Sequence, residues 1–126
     1  MISHPTAAEL AAGLAAFEAE PAAPEDARHV FLSRVADNAR AILAREAEHG
    51  AKLQAEATDR LAALLGQTGD FETLNDQLCQ AMRQGKIAPL APALLAHLRA
   101  MAIGQIAIDQ PGYGGLAALL DRGDRT

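Results

Sequence analysis

Apolar residues recur along most of this chain at intervals of three and four, the spacing that places them on one face of an α-helix. Pro, Gly, Thr or Asp separates the periodic segments, and these residues commonly begin or end helices. The pattern predicts five helices and then a short helical turn at 116–120. The first three helices span about 6–20, 24 or 25–49 and 51–65. The fourth helix follows Asp70 and stops at Gly85, and the fifth has Pro92 in its first turn and is terminated by Pro111 and Gly112. Residues that favour strands are too scarce for a sheet, so we predict an all-α fold.

The ends of these segments carry residues that cap helices. Thr6 and Glu9 have the spacing of a capping box, and Asp70 is a good N-cap for the fourth helix. Gly50 and Gly66 follow the second and third helices, where glycine readily takes the left-handed conformation that ends a helix. We therefore expect the chain to leave the helix at Gly50.

The fifth predicted helix is apolar around nearly its whole circumference, which is typical of a helix at the centre of a protein. Gly104 lies inside it, where the missing side chain would let a second helix approach closely. We predict a compact bundle of about five helices with this fifth helix central. The bundle forms one domain of residues 1–126, with 1–5 and 121–126 frayed.

The composition of the chain limits which cellular compartment and which classes of partner we expect. The net charge is −5 and the basic residues are scattered, so we expect no nucleic-acid binding. The most apolar stretch, 90–108, is interrupted by polar residues and is not expected to span a membrane. A single cysteine, Cys79, and the lack of a basic and apolar leader at the N-terminus indicate a cytoplasmic protein.

The common catalytic and metal-binding motifs are missing. The glycines around Tyr113 follow a helix, whereas a phosphate-binding loop follows a strand. Cys79 lies within a helix and is expected to be a small buried residue rather than a nucleophile. Glu46 and His49 have the spacing of a di-iron ligand pair, but such a centre needs the motif twice. We expect no metal, no cofactor and no catalytic residue, which favours a non-catalytic protein over an enzyme.

A polar line on the second helix is the strongest candidate site. Arg34, Asn38 and Arg45 lie on one side of that helix, and Glu46 flanks them. Asn is a poor residue for a helix interior, so it often has a tertiary partner when it occurs there. Two interpretations stay open. The line is either a structural network that ties helices together, or a site for a phosphate or carboxylate, which paired guanidinium groups suit.

Asp109 is a candidate member of the same network. It lies near the C-terminus of the fifth helix, where the helix dipole disfavours a carboxylate. A carboxylate in that place usually has a compensating cation. We therefore expect Asp109 to converge with Arg34 or Arg45.

Six segments of the chain carry a resemblance to a known family. They are Phe31-Leu-Ser-Arg34-Val-Ala-Asp-Asn38, 41–46, Leu64-Leu65-Gly66, 74–85, 94–99 and Ile108-Asp-Gln-Pro-Gly-Tyr113. Together they resemble a bacterial family of small helical proteins of unknown function. Members of that family are often encoded near aminoglycoside-phosphotransferase-like kinases and acyl-CoA dehydrogenases. The resemblance implies a context in acyl-CoA metabolism and assigns no catalytic residue.

From these observations we expect a helical accessory protein that forms a homodimer and binds a partner enzyme or an acyl-type metabolite. Ala-rich faces remain exposed on the first and third helices, and exposed apolar area usually marks a partner surface. The alternative is a small-ligand-binding or enzymatic bundle with an anion site at Arg34, Asn38 and Arg45. The two hypotheses differ in whether that polar line is buried or opens into a pocket.

Overall fold

The computed structural model describes residues 4–21 and 26–123. These residues form five α-helices and contain no β-strand, which confirms the all-α prediction. The helices are α1 (Ala7–Ala19), α2 (Ala27–Leu65), α3 (Phe71–Arg83), α4 (Pro92–Asp109) and α5 (Gly114–Gly123). The predicted start of the second helix at 24 or 25, and the predicted frayed residues 1–3 and 124–126, lie outside the described residues.

The predicted helix end at Gly50 is wrong, because the second and third predicted helices are one continuous helix, α2. Neither a proline nor a run of loop residues accompanies Gly50, and a helix tolerates an interior glycine at a cost of about 1 kcal/mol. The Glu46 side chain lies against this glycine, since a Cβ built on Gly50 would be 2.5 Å from Glu46 Oε1. The glycine therefore makes room for a carboxylate and does not end the helix.

The predicted caps at Thr6 and Asp70 and the predicted helix end at Gly66 are confirmed. Thr6 Oγ1 accepts a hydrogen bond from the Glu9 N–H at 3.1 Å, and Asp70 Oδ1 accepts one from the Thr73 N–H at 2.8 Å. The hydrogen bonds from Thr73 hold the pKa of Asp70 below its usual value, because they favour the charged carboxylate. Gly66 ends α2 with a φ of +66°, the left-handed conformation expected of it.

The short turn predicted at 116–120 is part of a longer helix, α5. The Arg99 guanidinium, on α4, donates a hydrogen bond to the carbonyl oxygen of Leu119 on α5. This carbonyl lies in the last turns of α5, where a cation also compensates the helix dipole. The Arg99 side chain thus fastens the last described helix to α4.

Contacts divide the chain into two units, Met1–Gly50 and Ala51–Thr126, and the division falls inside α2. We call them the first and second units. The second unit has a core of large apolar side chains, each 2% exposed or less. Its members are Leu61, Leu74, Leu78 and Leu94, with Ala62, Leu65, Phe71, Ile87 and Ala91 packed around them.

The first unit has little core of its own. Among the described residues of this unit, the buried apolar side chain is Ala36, which is 4% exposed. No residue of α1 is buried, although most of the residues in that helix are apolar. The helices of this unit therefore keep apolar surface in contact with solvent.

The helix predicted to be central, α4, buries one side of its circumference. Leu94 and Ile108 are fully buried, whereas Leu95 and Leu98 are 45% and 42% exposed. Gly104 does permit the expected close approach, since a Cβ there would lie 3.3 Å from a Leu53 methyl on α2. Neither α4 nor any other described helix has the length and hydropathy of a membrane span.

Candidate functional site

Large apolar side chains are exposed on the first part of α2. Phe31 is 64% exposed and Val35 is 49% exposed. With Asn38, Ile42 and Arg45 they follow one another at intervals of four, three, four and three residues. This alternation is the seam spacing of a coiled coil, in which each position packs against a second helix. We call these five residues the α2 seam.

The polar residues predicted as a site lie on or beside this seam. Arg34 and Asn38 are exposed, whereas Arg45 and Glu46 are half-buried. Asp109 belongs to the second unit, where its carboxylate accepts a hydrogen bond from Gln105 Nε2 at 2.7 Å. The convergence of Asp109 with the polar line stays a prediction.

An apolar groove runs between α1 and α2 in the first unit. Its walls are almost wholly apolar, and its volume is about 270 Å³. The lining residues include Leu10, Gly13, Leu14, Phe17, Leu32, Val35 and Ala36. Val35 also belongs to the α2 seam, so the groove and the seam share this side chain.

Two contacts hold the helices of the first unit together beside this groove. The Phe17 ring stacks on the His29 ring with centroids 5.5 Å apart. Arg40 forms an ion pair with Glu18 at 2.7 Å and another with Asp37 at the same distance. The hydrogen bond to Glu18 and both carboxylates raise the pKa of Arg40. These ion pairs are exposed, so they orient the helices more than they stabilise them.

A polar pair of one buried and one half-buried side chain lies in the second unit, between α2 and α4. His97 is 2% exposed, and its Nδ1 accepts a hydrogen bond from Arg60 Nε at 3.3 Å. Burial lowers the pKa of His97, and the nearby Arg60 charge lowers it further. The imidazole is therefore neutral at pH 7. Since Nδ1 is the acceptor, the ring proton is assigned to Nε2.

Small and apolar side chains surround this pair and form a groove of about 430 Å³. It is lined by Arg60, Ala63, Leu64, Ala93, Ala96 and His97, and we call it the Arg60–His97 groove. Sequence reasoning missed both polar residues as a candidate site. The available signal was a histidine inside the most apolar helix, at a position that points inward with Leu94.

The rest of the described chain offers no metal site. No group of three or more His, Cys, Asp or Glu side chains among the described residues is arranged to hold an ion. Cys79, expected to be buried, is half-buried.

Comparison with known proteins places most of the chain in a protein family. The family model described as a domain of unknown function, DUF6285, matches residues 21–113. This range includes the α2 seam and the Arg60–His97 groove. No curated protein and no solved structure matches the chain.

Proposed function

We propose that this chain, which belongs to the DUF6285 family of domains of unknown function, is a helical interaction protein that pairs with a second copy of itself through the α2 seam. The observation that carries the proposal is the exposure of Phe31 and Val35 at seam spacing. Burying a side chain of this size contributes roughly 1.5–3 kcal/mol, so covering these two exposed side chains favours association.

The composition of the seam also supports a protein interface. Aromatic residues and Arg are enriched in interfaces, whereas Lys, Glu and Asp are depleted. The seam combines Phe31 and Arg45 with Val35 and Ile42, and it contains no Lys, Glu or Asp. Asn38 takes one seam position, where a polar residue is known to select the register and the number of helices.

Charge beside the seam favours an antiparallel second copy. Residues 34, 41 and 48 lie seven apart along one flank of the seam, as Arg34, Ala41 and Glu48. In an antiparallel pair Arg34 would lie beside Glu48 of the second copy, and this contact would occur twice. Both side chains are exposed and able to reach across. Ala41 would face its own copy at the centre, where a small side chain allows close approach.

The association test uses the full chain in light scattering or sedimentation at tens of micromolar. We expect the mass of a dimer for the wild type and of a monomer for Phe31→Asp, because the charge could not be buried in the seam. Leu90→Asp is the matched control, since Leu90 is 79% exposed but lies in the second unit. A monomeric wild type, or a monomeric control, contradicts the proposal.

Charge reversal tests the orientation of the pair. Arg34→Glu should weaken the dimer by placing two carboxylates together, and the double variant Arg34→Glu with Glu48→Arg should restore it. In a parallel pair residue 34 would not face residue 48, so the double variant would give no rescue. A lack of rescue would therefore overturn the antiparallel arrangement. Association through the α2 seam is tested separately, by the Phe31→Asp variant.

The alternative function is an anion site at Arg34, Asn38 and Arg45. Arg34 and Asn38 are exposed, which suits a contact between surfaces better than an enclosed ligand site. The context in acyl-CoA metabolism, implied by the family resemblance, stays a prediction about the partner or the ligand. If acyl-CoA raises the Tm of the wild type but not of Arg34→Ala, the anion site is the better interpretation.

A further inference from the structure

We infer that the Arg60–His97 groove binds a small monocarboxylate with an apolar tail. The groove lies in the second unit and contains no residue of the α2 seam, so this inference goes beyond the proposed pairing. The groove combines a guanidinium without a described carboxylate partner, a buried imidazole whose Nε2–H has no described acceptor, and apolar walls.

Arg60 supplies the positive charge. Its side chain is half-buried, and among the described residues no carboxylate lies within ion-pair distance of it. Its Nε donates to His97, while no described group accepts from its two terminal nitrogens. A guanidinium held in this way presents a planar pair of donors that matches a carboxylate.

His97 supplies a second donor and fixes the first. Accepting from Arg60 Nε orients the guanidinium and places the imidazole proton on Nε2. No described group accepts from Nε2, although the ring is 2% exposed. The Nε2–H is therefore available to donate to a ligand oxygen. Because the imidazole is neutral, the site carries one positive charge and suits a monoanion.

The apolar walls of the groove determine which kind of tail the carboxylate ligand can have. Ala63, Ala93 and Ala96 leave space beside the polar pair, and Leu64 adds apolar surface. The volume of about 430 Å³ lies within the range of small-molecule sites, roughly 300–1,000 Å³. A phosphate dianion would leave these walls unused and would need more donors than two side chains offer. A carboxylate with a short alkyl chain satisfies both parts of the groove.

The experiment titrates the full chain with hexanoate and follows the His97 imidazole resonances by NMR. We expect saturable shifts with a Kd on the order of 1 mM or lower. Hexanol and inorganic phosphate serve as probes that lack the charge or the tail, and neither should shift these resonances. If hexanoate at about 10 mM, roughly tenfold above this Kd, leaves the His97 resonances unchanged, the inference is overturned.

Two variants test the role of the guanidinium. Arg60→Gln keeps a polar side chain and removes the charge, and it should weaken hexanoate binding by about tenfold or more. Arg83→Gln removes an exposed guanidinium from α3 in the same unit and should leave binding unchanged. Phe31→Asp should also bind normally, because the groove lies outside the first unit. Equal binding by Arg60→Gln and the wild type would contradict the inference.

Discussion

The two units of this chain are both helical, yet they bury very different side chains. In the second unit Leu61, Leu74 and Leu94 are at most 1% exposed. In the first unit the buried apolar residue is Ala36, and Phe31 remains 64% exposed. Both units share α2, so the difference does not come from helix length or helix propensity.

The difference shows that a sequence can favour helices without supplying the side chains of a core. Alanine favours a helix because it loses no side-chain entropy, but it buries little apolar area. Leucine adds that area and stabilises the packing of one helix on another. The second unit therefore has an apolar core of its own, whereas the first unit keeps large apolar side chains exposed.

The largest expected effect comes from truncating a core leucine. Leu61→Ala should lower the free energy of unfolding by about 2–5 kcal/mol, because it leaves a cavity among Leu74, Leu78 and Leu94. Leu14→Ala, in the half-buried wall of the first unit, should cost less than half as much. Urea unfolding of both variants measures the difference. Equal losses would show that the first unit has a core as complete as the second.

The next effect is a dependence on pH that belongs to the second unit. The pKa of His97 is lowered in the folded protein, while the unfolded side chain titrates near 6.5. As the pH falls below about 6.5, the unfolded chain takes up a proton that the folded chain does not, so stability falls by at most about 1.4 kcal/mol per pH unit. Above that pH the contribution is constant.

His97→Gln is the variant that isolates this dependence. Its amide oxygen can still accept from Arg60, but it does not titrate. We expect urea melts at pH 5 to 7.5 to give a flatter stability curve for this variant than for the wild type. Parallel curves for the two proteins would mean that His97 does not resist protonation in the fold.

A smaller effect is expected at the end of α2. Gly66→Ala should destabilise the protein by about 1 kcal/mol, because the φ of +66° disfavours any side chain. A Cβ there would meet nothing within 4 Å, so the cost comes from the backbone alone. Gly13→Ala, in α1 and equally free of contacts, should be stabilising instead. Thermal melts that rank the two variants in the opposite order would contradict this reasoning.

Local sequence signals predicted most of the helices. Thr6 and Asp70 act through hydrogen bonds to residues three positions away, and Gly66 acts through its own φ angle. Their roles can therefore be predicted from the local sequence. Gly50 failed as a helix end because glycine permits a break without requiring one. It nevertheless lies where the first unit ends, which shows that the residue marks a change in packing.

The candidate sites were harder to predict because they depend on which helices meet. The polar line of Arg34, Asn38 and Arg45 could be read from helical spacing alone. The pairing of Arg60 with His97 could not, since 37 residues separate them in sequence. Nothing local to either residue indicates that α2 and α4 bring them within hydrogen-bond distance.

The measurement that tests the central comparison most directly is hydrogen exchange of the full chain at several protein concentrations. We predict that amides of 27–50 gain protection as the concentration rises, because a second copy covers the α2 seam. Amides in α3 and in 92–109 should exchange at the same rate throughout, because their core is complete in one chain. Exchange in 27–50 that is independent of concentration, and as slow as in α3, would contradict the account.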